Sequence, residues 1–125
     1  MNIKNYLAFK VLLLMIPGFL LFVRCTQPVK DYIPGVYTAE WTTEFTEARD
    51  TFAIENSVRQ GSGIYQITRR IYMLYQKKPQ YKLVHWTGTY NNTNKTIIVN
   101  KNGRILSFDP ANNEMKMGST TYKKL

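Results

Sequence analysis

From Gly35 to the C-terminus the chain alternates polar and apolar residues with a period of two, and turn residues interrupt the alternation every few positions. That period places successive side chains on opposite faces of an extended strand, whereas an amphipathic helix needs a repeat near 3.6. No stretch of this region shows the helical repeat, which predicts an all-β domain. In VYTAEWTTEF, Tyr37, Ala39, Trp41 and Phe45 fall on one face, and Val36, Thr38, Glu40, Thr42 and Glu44 on the other. TFAIENSV turns Phe52 and Ile54 inward. IYQITRRIYMLY groups Tyr65, Ile67, Ile71, Met73 and Tyr75. LVHWTGTY aligns Val84, Trp86 and Tyr90, with Gly88 as a bulge or a point of close approach. KTIIVN, RILSFDP, EMKMG and TTYKKL supply shorter strands, with Leu106/Phe108 and Met115/Met117 as inward pairs.

The segments TEARD, QGSG, KKPQ, NNTN, KNG and PANNE carry turn chemistry, and Asn102-Gly103 is the clearest hairpin signal because both residues tolerate positive φ. About eight short strands joined in this way predict an antiparallel meander, curled into a small barrel or folded as a two-layer sheet. Closure would remove the exposed strand edges. The interior of such a barrel is expected to hold Tyr37, Trp41, Phe52, Tyr75, Trp86, Tyr90 and Phe108.

The N-terminus is built differently. Residues 1–10 carry Lys4 and Lys10 and no acid, Val11 to Val23 is an apolar run of 13 residues broken by Pro17 and Gly18, and Arg24 and Cys25 follow. A bilayer crossing takes about 20 apolar residues, so this run has the length of an export signal. Cys25 is the only cysteine of the chain. It has no disulfide partner within the chain, and lipidation would consume its thiol. The expected organisation is a lipoprotein-type signal peptide over 1–24, a lipidated tether over 25–34 and the β-domain over 35–125. An uncleaved anchor and ordinary secretion are the alternatives. Removing residues 1–24 from the 125-residue chain leaves enough for one small core.

Three resemblances follow from these residues. The segment ending at Cys25 resembles a bacterial lipoprotein signal, although that family has a small residue where this chain has Arg24. Gly35-Val36-Tyr37 opening a meander resembles a reduced lipocalin-type barrel, with Tyr37 where the lipocalin motif has Trp. The pieces DYIPGVY, DTFAIE, YQITRR, HWTGTY and the terminal YKKL are similar to a group of small, uncharacterised bacterial envelope lipoproteins. The resemblance implies a bacterial cell envelope location, a membrane tether and a barrel fold. It implies no activity.

Charge is the second signal. The formal net charge of +9 falls to +6 once Lys4, Lys10 and Arg24 are set aside. Residues 31–55 hold Asp31, Glu40, Glu44, Glu47, Asp50 and Glu55 against the single base Arg49, whereas residues 56–108 hold only bases. Cross-strand pairing between the two segments would cancel part of this asymmetry. Without it, Arg59, Arg69, Arg70, Lys77, Lys78 and Lys82 form a basic interaction face toward an anionic lipid or an envelope protein. Arg69 shares its parity with Ile67 and Ile71. A bulge at Arg69-Arg70 that turns both side chains outward is expected, and a buried arginine bonded to an acid is the alternative.

Catalytic chemistry is sparse. The sole histidine, His85, alternates outward from Trp86, and Ser57, Ser62, Ser107 and Ser119 sit in no nucleophile motif. Glu40, Glu44, Asp50 and Glu55 read as a polar strand face, not as paired catalytic carboxylates. No metal-ligand spacing or cofactor motif stands out. The expectation is a non-catalytic envelope lipoprotein that acts as a binding module, without cofactor and without nucleic acid as partner. A carrier or sensor of a small apolar ligand inside the barrel and a protein inhibitor of an extracellular hydrolase are the alternatives.

Overall fold

The computed structural model describes residues 28–58 and 61–125. Eight antiparallel strands follow one another around a closed barrel. They are β1 Gly35–Thr42, β2 Thr46–Asn56, β3 Ile64–Tyr75, β4 Lys78–Asn91, β5 Thr96–Val99, β6 Ile105–Asp109, β7 Glu114–Met117 and β8 Thr120–Lys124. A one-turn helix, α1 (Val29–Tyr32), precedes β1, and a 3-10 turn spans Pro110–Asn112. The meander therefore closes, as the alternation allowed. Cys25 and Arg59 lie outside the described residues.

The wall is uneven. β1 to β4 run for 8, 11, 12 and 14 residues, whereas β5 to β8 run for only four or five. β4 meets β5 only through Gly88–Asn91. β1 meets β8 only through Tyr37 and Thr38. β2 pairs with β3 along its whole length, and β3 with β4 likewise, from Tyr75↔Lys78 back to Ile64↔Thr89. Consequently the first four strands run on past the closed girdle as a four-stranded apron. Its tips are the turns after β1 and after β3.

An eight-stranded barrel is just wide enough to be filled by its own side chains. Here Tyr37, Phe52, Ile54, Tyr65, Ile67, Trp86, Ile97, Val99, Leu106, Met115 and Tyr122 fill it. Phe52 meets the Tyr122 ring edge-on at 5.0 Å, and Tyr37 meets Phe108 at 5.7 Å, in the edge-to-face arrangements that aromatic quadrupoles favour. Gly88 is a point of close approach, not a bulge: a Cβ there would overlap Ile97 Cγ2 and crowd Ile67 Cδ1 at 3.1 Å. The ladder through Gly88 is unbroken on both sides.

α1 lies ahead of Gly35, where the alternation begins. Tyr32 and Ile33 are buried in the core and close the end of the barrel where the chain enters. The Tyr37 hydroxyl donates to the Ile33 carbonyl at 2.8 Å, Tyr32 donates to Asn113 at 3.0 Å, and Tyr65 donates to the Lys30 carbonyl at 3.2 Å. These tyrosines tie the entry segment to three different parts of the rim. The sequence gives little notice of this, because a single turn is too short to show a 3.6-residue repeat.

Two expected turns are strands instead. TEARD belongs to β2 and most of KKPQ to β4, so the hairpins turn at 43–45 and 76–77. Phe45, expected inward, sits exposed in the first of these turns.

Gly88→Ala should lower stability by about 1–3 kcal/mol, the usual cost of forcing atoms into a packed core. Equilibrium urea denaturation measures it as a lower midpoint. An unchanged midpoint would mean that Ile97 and Ile67 yield freely.

Candidate functional site

Alternation predicted that Arg69 faces the apolar side, and the proposed escape was a bulge. There is none. Arg69 and Arg70 pair in register with Phe52 and Thr51, so the two side chains point to opposite faces. Arg69 turns inward, Arg70 outward. Arg69 therefore leaves the basic face, a correction with a specific cause: a partner waits inside. Asp50, only 1% exposed, accepts three bonds from the Arg69 guanidinium, Nε to Oδ1 at 3.0 Å and to Oδ2 at 3.2 Å, and Nη2 to Oδ2 at 2.7 Å. The Tyr122 hydroxyl donates to the same carboxylate at 2.8 Å. Arg69 also lies over the rings of Phe52 and Trp86, 5.2 and 5.5 Å from their centroids. Burial, then the bond to Asp50, pushes the Tyr122 phenol up. The separate hydrogen bonds from the guanidinium to Asp50 raise Arg69. This three-residue network closes the far mouth of the barrel. The sequence offers Asp50 only as the last residue of TEARD or as part of a polar strand face, whereas the structure buries it among the core side chains.

The other interior expectations divide along the barrel's length. Tyr37, Phe52 and Trp86 are buried, and Tyr90 and Phe108 are half-buried against the core. Trp41 and Tyr75 are corrected: they are 40% and 47% exposed. Their parity was read properly, since Trp41 lies beside Ala48 and Met73 on the inner side of the sheet. Both residues stand on the apron, however, where the short strands no longer reach across to cover them.

What remains of the basic face is concentrated on the apron. Arg70, Lys77, Lys78 and Lys82 are all exposed. Among the described residues none of the four lies within ion-pair distance of a carboxylate. Among these described residues the three ion pairs are Arg49–Glu40, Arg69–Asp50 and Lys123–Glu114. Register explains this: Arg70 stands between Thr51 and Leu83, and Lys82 beside Ile71, so no acid is the direct cross-strand neighbour of either. Arg70 and Lys82 thus keep their charge outside any ion pair, unlike Arg69 on the same sheet.

On the outer side of the apron, Tyr72 and Tyr81 are cross-strand neighbours with ring centroids 5.0 Å apart. Together with Arg49, Arg70 and Leu83 they line an open groove of about 510 Å³. Tyr81 and Leu83 are 79% and 58% exposed. Two aromatic faces, an exposed leucine and an arginine on each side make an amphipathic surface suited to a chain that carries both apolar and anionic groups. His85 is exposed on the same strand, with Thr68 Oγ1 3.4 Å from its Nδ1. Sequence reasoning found the bases of this surface and missed its groove, because cross-strand neighbours are set by register, not by composition.

Comparison with protein-family models, with curated proteins and with solved structures found no match. The role of the apron rests on its geometry, and a double-mutant cycle tests the anchor beneath it. Asp50→Leu and Arg69→Leu should each cost about 3–5 kcal/mol, because each strands a buried charge or its partners. The double variant should lose less than their sum, with a coupling of about 2 kcal/mol or more. A cost near zero for Arg69→Leu in thermal or urea unfolding would mean that the side chain points to solvent after all.

Proposed function

We propose that this chain is a membrane-anchored envelope lipoprotein whose barrel serves as a non-catalytic binding module, with the apron as its binding surface. The observation that carries this reading is the placement of the apron's tips at the end opposite α1. Only Thr26 and Gln27 separate Cys25 from Pro28, and α1 begins at the next residue. A lipid on Cys25 would hold the entry end against the bilayer and direct the apron away from it. A single acyl chain gives only marginal attachment, whereas the two or more chains of a lipidated cysteine make it stable.

Two further features support a surface role. Core side chains and the Asp50–Arg69–Tyr122 network occupy the barrel interior, so the groove outside the wall is better placed than the lumen to receive a partner. Among the described residues, Arg70, Lys78 and Lys82 also lie outside ion-pair distance of any carboxylate, which leaves their charge to an anionic partner.

The intact mass of membrane-extracted protein tests the anchor. A mature chain starting at Cys25, increased by diacylglyceryl and acyl groups and lost in Cys25→Ser, is the expected result. An unmodified full-length mass would overturn it and leave an uncleaved N-terminal anchor.

A further inference from the structure

β4 has a free edge. β5 covers only Gly88–Asn91, and among the described residues no other strand pairs with Lys78–Thr87 on that side. Which residues present their main chain there follows from two bonds. The Thr87 carbonyl accepts from Asn100 N at 2.9 Å, so odd-numbered residues of β4 direct N–H and C=O toward the β5 side. Tyr90 N donates to Gly63 at 2.8 Å, so even-numbered residues direct theirs toward β3. Tyr81, Leu83 and His85 therefore offer an uninterrupted row of N–H and C=O groups at the open edge. Pro79 obeys the same parity: its missing N–H falls on the open side, the place within a sheet where proline is tolerated.

Edges of this kind are usually blunted by charge, proline or covering structure. Here Pro79 and Lys78 blunt the tip, and Arg104 lies over Trp86, 5.6 Å from its ring, where β5 leaves off. The stretch between stays open.

From this geometry, and building on the binding role proposed above, we infer that the β4 edge accepts an extended acidic segment of a partner protein as an added strand. Main-chain bonds to Tyr81, Leu83 and His85 supply the attachment, and alternate side chains supply the selectivity. On the outer side the incoming residues meet Tyr81 and Leu83 beside Arg70. On the inner side they meet Lys78 and Lys82. The matching sequence alternates apolar and acidic residues. A second copy of this chain is the poorer occupant: β4 against β4 would bring Arg70, Lys78 and Lys82 of both copies to one seam with no acid between them.

Amide hydrogen exchange on the full chain reads the edge directly. Tyr81, Leu83 and His85 amides should exchange fast and those of Lys82, Val84 and Trp86 slowly. A capped heptapeptide of alternating valine and glutamate should slow the first set by about tenfold or more. A valine–lysine heptapeptide should not. Lys82→Glu should weaken the glutamate peptide by about tenfold, and Leu83→Pro, which deletes the central edge N–H without touching the β3 ladder, should abolish binding. If Leu83→Pro fails to fold, Lys82→Glu decides. Equally slow exchange of both sets in the free protein would overturn the inference, as would an unaltered edge under excess glutamate peptide. Edge protection that grows with protein concentration, matched by a dimer in sedimentation, would also overturn it in favour of a second copy. The mass of the mature chain is independent of all these outcomes, so a failure here leaves the anchor standing.

Discussion

The two seams that close the barrel are short, and the form of the molecule depends on that. Four residue pairs join β4 to β5 and two join β1 to β8. Because β5 to β8 are so brief, the girdle closes early and the longer first four strands have nothing opposite them beyond it. The interior then has to be sealed at two levels. At the entry end Tyr32 and Ile33 do so from α1. At the far end a salt bridge does, between Asp50 and Arg69.

That salt bridge is an unusual lid. Buried ion pairs recover their desolvation cost only with good geometry and with their remaining hydrogen-bonding capacity met. Here the carboxylate takes a two-pronged guanidinium and a tyrosine hydroxyl, and the guanidinium spreads over two aromatic faces. Among the described residues no buried side-chain nitrogen or oxygen lacks a partner. A polar lid at this level leaves the main chain of the apron free to continue above it, with Trp41, Met73 and Tyr75 on its inner side and the tyrosine groove on its outer side.

Much of this was legible from alternation. Every strand is at least partly present in the sequence pattern, and Tyr37, Phe52, Ile67, Trp86, Leu106 and Met115 are buried as their parity requires. Parity reports a face but not what covers it, and this is why Trp41 and Tyr75 were placed inside a barrel whose wall stops short of them. Arg69 shows the same limit from the other direction. Its parity was right, and the expected bulge came from treating the charge as unpaired when its partner lay 19 residues earlier in a segment read as a turn. Long-range pairing of that kind has no local signature. The free edge of β4 was likewise invisible, although Pro79 hinted at it.

In the proposed arrangement the barrel is a spacer, held at one end and offering charge and an open strand at the other. Fluorescence quenching by brominated lipids tests this most directly, because the chain has only two tryptophans, Trp41 on the apron and Trp86 within the core. In vesicles carrying the anchored protein, emission should be unquenched, with Trp41 held away from the acyl chains. Strong quenching that disappears in Trp41→Phe would place the apron on the bilayer and contradict the account.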